Sequence, residues 1–186
     1  MKKSLFITLL MTAFLHGAEA QGADWKYYGA GTLKKSENVM TYYDAGSIEH
    51  LSDGHVKAWT KCMSRSKVER TINSEEVTKK AARKIEAGYV APYVLSNPQA
   101  QPNYDVNMRT TVWEEAANEG VIKPELKVFY ELNCRTKKIR TLSVISYKND
   151  GGTEARSETD TWISLGPGSN SETLYKMLCK QRDMVK

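Results

Sequence analysis

Two stretches, residues 126–134 and 139–148, alternate apolar and polar side chains on either side of Arg135-Thr136-Lys137-Lys138. A period of two sends every second side chain to the same face, so the pair predicts antiparallel strands joined by a short turn. An earlier hairpin is predicted by WKYYGA (residues 25–30) and NVMTYY (residues 38–43), rich in aromatic and β-branched residues that suit a pleated surface. Asp44-Ala45-Gly46 turns the chain, residues 47–51 predict a short strand, and Asp53-Gly54 is a hairpin-turn pair before a strand over residues 55–63. Asn149-Asp150-Gly151-Gly152 signals one more turn, with a strand expected over residues 156–163.

Helical spacing appears elsewhere. In SEEVTKKAARKIEAG, Ser74 is a candidate cap, Val77, Ala81 and Ile85 recur at i, i+4 and i+8, and Gly88 is a stop. YVAPYVLSNPQAQPN holds three prolines and predicts loop; a second helix is expected near residues 108–118. Ser169 and Glu172 form a capping box ahead of Leu174, Met177 and Leu178, the inward stripe of a last helix. Strands and helices do not alternate, so the class is α+β. We expect a mostly antiparallel sheet of about six to seven short strands with the C-terminal helix packed on one face. A helical insertion over residues 64–125 would separate its two halves, as an addition to a core that the sheet and last helix already close.

The first residues bound the compartment. Lys2 and Lys3, an apolar run over residues 5–15 and Ala18-Glu19-Ala20 have the form of a cleaved signal peptide, residues 1–20. The apolar run is shorter than the roughly 20 residues a membrane span needs. Residues 21–186 would be one domain. The chain has net charge +5, and removing two lysines and one glutamate leaves +4 (5 − 2 + 1), a mildly basic surface. Export argues against nucleic acid as a partner and for the periplasm or cell surface.

Export also bears on Cys62, Cys134 and Cys179. An oxidising space favours a disulfide, and an odd count leaves one thiol over. Three pairings are possible; Cys134–Cys179 is favoured because it would pin the last helix to the end of a strand. Closing that loop removes denatured-state entropy worth roughly 4 kcal/mol. There is no C-x-x-C for redox chemistry and no ligand spacing for a metal, and no cofactor is expected. His50 and His55 flank a turn and read as exposed. Gly166-Pro167-Gly168-Ser169 lacks the lysine of a phosphate loop, Glu114-Glu115 read as ordinary helix acids, and no nucleophile-base arrangement supports an enzyme.

Three blocks carry a resemblance. The first is Tyr42-Tyr43-Asp44, Ser47-Ile48, Gly54 and Val56-Lys57-Ala58-Trp59-Thr60-Lys61. The second is Tyr130-Glu131-Leu132-Asn133-Cys134 with Ile139-Arg140-Thr141-Leu142-Ser143 and Tyr147. The third is Trp162-Ile163-Ser164-Leu165, Pro167-Gly168-Ser169, Glu172, Leu174 and Leu178-Cys179. Together they resemble the bacterial surface-adhesin protein E family. The resemblance implies a small antiparallel sheet backed by the C-terminal helix, a bridge between the Asn-Cys and Leu-Cys cysteines, and adhesion to host matrix proteins such as vitronectin and laminin. This chain lacks the lipidated cysteine of the family's lipoproteins.

The expected function is therefore an exported, non-enzymatic binding module for an extracellular-matrix or envelope protein. The alternative is a periplasmic envelope-maintenance or small-ligand protein, which a pocket lined by Tyr27, Tyr43 and Trp59 would favour. The candidate contact surface is the basic helix carrying Lys79, Lys80, Arg83 and Lys84, with no acidic stripe apparent opposite it, together with Trp113.

Overall fold

The computed structural model describes residues 23–33, 37–72, 75–96, 103–119, 122–148, 150–157 and 161–180. The expected signal peptide and the cap at Ser74 lie outside the described residues. Strands are β1 (Trp25–Leu33), β2 (Glu37–Asp44), β3 (Glu49–His50), β4 (His55–Ser64), β5 (Leu126–Asn133), β6 (Lys138–Tyr147), β7 (Thr153–Ser157) and β8 (Ile163–Ser164). Helices are α1 (Arg65–Thr71), α2 (Glu75–Glu86), α3 (Pro92–Ser96), α4 (Tyr104–Asn118) and α5 (Asn170–Lys180).

All strands join one antiparallel sheet, ordered β1-β2-β4-β5-β6-β7, with β3 on β4 and β8 on β6. The fold is α+β, as expected. The one strand expected over residues 156–163 is two. β7 pairs with the later half of β6, from Ser143 to Tyr147, and β8 pairs with its start at Lys138 and Ile139. Loop was expected across the proline-rich stretch, yet Pro92 opens α3. Proline suits a first helical turn, where its missing N–H has no intrahelical partner to lose.

Alternation along β2 shows how the core is divided. Met40 and Tyr42 point to one face, where they join Trp25, Tyr27 and Met63. Tyr43 points to the other, with Tyr28, Val56, Ala58, Leu132 and Ile139. The second face is covered by α5 through Leu174, Tyr175, Met177 and Leu178. The first is covered by Val68 of α1, Val77 of α2, Ala116 and Ala117 of α4, and Ile122. Tyr42, Met40 and Met63 are at most 1% exposed, and burying each such side chain contributes about 1.5–3 kcal/mol. Residues 64–125 are thus not an addition to a finished core. They build one of its two halves, because an eight-stranded sheet with apolar side chains on both faces needs two covers.

Local capping places α5. The Ser169 hydroxyl accepts from the Glu172 N–H (3.1 Å), and the Glu172 carboxylate reaches back to the N–H of Gly168 (2.7 Å), one residue before the usual capping-box donor. Cys134 and Cys179 form a disulfide, with Cα atoms 5.6 Å apart. It ties the end of β5 to the last turn of α5, and the Tyr175 hydroxyl donates to the Cys134 carbonyl beside it (3.2 Å). Cys62 is left free and half-buried, and burial pushes its thiol up to about 11.

Candidate binding surface

The basic helix α2 packs on α4, and acids from both helices face its lysines. Lys79 pairs with Glu75 (2.6 Å) and Lys80 with Glu76 (3.2 Å), each one helical turn earlier. Lys80 also reaches Glu119, and Lys84 reaches Glu115 of α4. The Glu119 carboxylate bonded to Lys80 raises its ammonium above the ordinary lysine range. Beyond α2's own Glu75 and Glu76, Lys80 and Lys84 thus find acids on α4 and at its C-terminal cap, more than thirty residues away. Lys80 and Lys84 fasten α2 to α4, while Lys79 and Arg83 stand exposed at the surface.

Trp113, expected as a possible contact residue, faces inward. Its ring lies 4.9 Å from that of Tyr27 and packs against the first core cluster. It occupies the inner side of α4, so it is part of the cover and not of the outer surface.

That inner side is unusually polar. Asn107, Thr110, Thr111 and Glu114 are all buried. Asn107 accepts from the Ala91 N–H (2.9 Å) and donates to the Tyr89 carbonyl (3.1 Å). Glu114 accepts from the Tyr27 N–H (3.1 Å) and the Tyr89 hydroxyl (2.6 Å). Asn118 accepts from the Trp25 N–H (2.8 Å) and donates to the Trp25 carbonyl (3.3 Å). One helical turn separates Glu114 from Asn118, and two residues separate Tyr27 from Trp25. The helix thus supplies β1 with the hydrogen bonds a neighbouring strand would have made. Burial raises the Glu114 carboxyl to about 7. It is a sealed structural acid, unlike the ordinary helix acid expected from sequence.

A second buried ion sits nearby. The Lys61 ammonium donates to the Ala117 carbonyl at the end of α4 (2.9 Å) and lies 4.2 Å from the centre of the Trp25 ring. Burial, reinforced by the neighbouring Lys127, lowers its pKa to about 7.

His55 also departs from expectation. It is not an exposed turn residue: its Nδ1 lies 2.7 Å from Glu131 and its Nε2 2.8 Å from the Asn133 side-chain amide. Glu131, with its side chain 4% exposed, also accepts two bonds from Arg140 (2.9 and 2.7 Å). These bonds hold its carboxyl below the usual range against the opposing cost of burial. Trp162 closes the group, its ring 4.8 Å from the Arg140 guanidinium and 5.3 Å from His55. The Asp53-Gly54 turn had hidden this, because the partners come from strands 76 and more residues away.

Tyr27, Tyr43 and Trp59 do not line one pocket. Tyr27 and Trp59 belong to one face of the sheet and Tyr43 to the other. An open, polar cleft of about 420 Å³ lies between β2 and α1, edged by Asn38, Ser64, Arg65, Ser66 and Glu69. Among the described residues no cluster of histidine, cysteine and carboxylates could hold a metal ion. None of the described helices is long and apolar enough to cross a membrane.

Exposed apolar side chains are concentrated elsewhere. Val90 (40% exposed), Leu95 (49%) and Tyr104 (60%) all lie on or beside α3 and the start of α4; Ile163 (61%) stands alone on β8. Val90 follows Tyr89, whose ring lies 5.6 Å from the Lys84 ammonium of the basic helix. Exposed cations (Lys79, Arg83) and exposed apolar side chains (Val90, Leu95, Tyr104) thus both occur along the α2–α3–α4 segment. No curated protein and no solved structure matches the chain. Residues 95–180 match the family model described as surface-adhesin protein E, a span from the end of α3 through α4 and the later strands to the last residue of α5. Residues 95–180 are thus surface-adhesin protein E-like.

Proposed function

We propose that this protein is an exported, non-enzymatic binding module that engages an extracellular-matrix or envelope protein through the outer side of α2, α3 and α4. A single observation carries the reading. Among the described residues, three of the four large apolar side chains that stand most exposed (Val90, Leu95 and Tyr104) lie around the start of the family match, in the segment that follows a helix with outward cations. Apolar groups that adjoin one another at a surface mark contact sites more often than scattered ones do. Lys79 and Arg83 would steer an acidic partner, and Leu95 and Tyr104 would supply the area it buries.

The test separates steering from anchoring. Binding of the purified protein to immobilised matrix proteins and to envelope extracts is measured by surface plasmon resonance. Lys79→Glu with Arg83→Glu should slow association, most at low salt, with an unchanged melting temperature. Leu95→Asp with Tyr104→Ser should weaken affinity about tenfold or more, mainly through faster dissociation. Lys80 and Lys84 are unsuitable for such a test, because charge reversal there sets like charges against Glu119 and Glu115. Absence of saturable binding to any of these surfaces would refute the function; unchanged binding by both double variants would refute the site.

A further inference from the structure

We propose that β7 is a self-complementary edge through which two copies of this chain join their sheets, strand to strand, about a two-fold axis at Ala155. β7 is the outermost strand on its side of the sheet, and among the described residues only β6 pairs with it. All five of its residues, Thr153-Glu154-Ala155-Arg156-Ser157, are exposed or half-exposed.

The backbone parity is favourable. Lys148 donates its N–H to the Gly152 carbonyl (2.8 Å) at the base of the β6–β7 hairpin. In an antiparallel ladder bonded pairs alternate with non-bonded ones. Counting from that pair, Glu154 and Arg156 bond to β6, while Thr153, Ala155 and Ser157 turn their N–H and C=O groups outward. An axis through Ala155 places Ala155 opposite its own copy and Thr153 opposite Ser157. Every outward donor then meets an outward acceptor.

The side chains select that register. With the axis at Ala155, Glu154 of one copy lies opposite Arg156 of the other, in the non-hydrogen-bonded positions where facing side chains approach most closely. Within one chain Arg156 already holds Glu154 (2.9 Å from Nε), and Lys148 lies 3.8 Å from it. In the dimer each carboxylate would be flanked by two guanidinium groups in a square of alternating charge. Shifting the axis by one residue either way fails, since it sets Glu154 against Glu154 or Arg156 against Arg156. The sequence is self-complementary about a central alanine, Thr matched with Ser and Glu with the oppositely charged Arg. A strand edge guarded only against strangers needs charge but has no need of that symmetry.

Sedimentation velocity on the purified full-length exported protein, over a concentration series, tests the proposal. The expected result is a reversible dimer. Glu154→Arg and Arg156→Glu, each alone, should weaken it about tenfold or more, and the double reversal E154R/R156E should restore it to within about threefold. Ala155→Pro removes an outward N–H without touching the β6 ladder, and should abolish the dimer while circular dichroism stays unchanged. A protein that remains monomeric up to about 100 μM, a dimer indifferent to the single reversals, or a double reversal that fails to restore it would overturn the proposal.

Discussion

The main run of the sheet, β1-β2-β4-β5-β6-β7, ends in two outer strands, and the protein treats them differently. β1 is sealed. Glu114 and Asn118 of α4 bond the backbone of Tyr27 and Trp25, and Asn170 of α5 donates to the Ala30 carbonyl (3.0 Å). Gly29 permits that last approach, since a Cβ there would come within 2.5 Å of the Asn170 side-chain oxygen. β7 has no such cover among the described residues, and it presents charge instead. One edge is satisfied by side chains that mimic a strand, the other by solvent and an ion pair. The comparison teaches that closing an edge with side chains requires buried polar groups, with their desolvation costs, whereas leaving it open keeps the strand available.

Breaking the tether of the sealed side should have the largest effect. Cys134→Ser frees the last turn of α5, the helix that covers the second core face and supplies Asn170. We expect a loss of about 4 kcal/mol in denaturant unfolding, the chain-entropy value for a loop of this length. Cys62→Ser should cost much less, because no bond is lost.

Next is the pH dependence of the sealing acid. Glu114 has its carboxyl raised from 4.5 to about 7 in the folded protein. Between those values the folded state holds a proton that the unfolded state has lost, so stability falls as pH rises through this window, by about 3 kcal/mol in all. Lys61, lowered from 10.5 to about 7, acts with the opposite sign: the unfolded state binds the extra proton above neutrality, and stability rises with pH from there toward 10. Glu114→Gln keeps the bond from the Tyr27 N–H at its amide oxygen, turns the Tyr89 contact into one that its amide nitrogen donates, and should flatten the acid limb alone. Denaturant midpoints from pH 4.5 to 9 measure this, and an unchanged acid limb in Glu114→Gln would contradict the assignment.

The smallest effect is a matched pair that sharpens the contrast between edges. Asn118→Ala leaves the Trp25 N–H without its partner and should cost about 1–2 kcal/mol. Glu154→Gln on the open edge should leave the denaturant midpoint essentially unchanged. Equal costs would mean that the two edges are not closed by different means.

Much of this could be read from residues alone, for reasons that also mark where reading stops. Alternation over residues 126–134 and 139–148, the glycine turns and the capping box at Ser169 are short-range signals, each contained within its own element. The pairing of Cys134 with Cys179 is favoured because it joins a strand end to the last helix, and the resemblance implies the same bridge. What escaped depended on a partner element. Lys80 and Lys84 looked unanchored because Glu119 and Glu115 are distant in sequence, and His55 looked exposed because Glu131 and Arg140 are too. Trp113 and Glu114 were misread because α4 lacks an apolar stripe. A signal was present nevertheless: Asn107, Thr111, Glu114 and Asn118 recur at helical spacing, and all can accept hydrogen bonds. A polar stripe on a helix that must be buried indicates that it packs against unsatisfied backbone.

The disulfide has a mechanical consequence. Cys134 and Cys179 are 45 residues apart, and a fully drawn chain spans about 3.4 Å per residue. Tension applied at the two ends would pass across the sulfur bridge and bypass β6, β7, β8 and most of α5. About 150 Å of contour length would stay out of reach of the force. Pulled by its two ends, the chain would therefore yield first at β1, β2 and the helices between the sheet's halves, and that closed loop would keep its strands under no load at all.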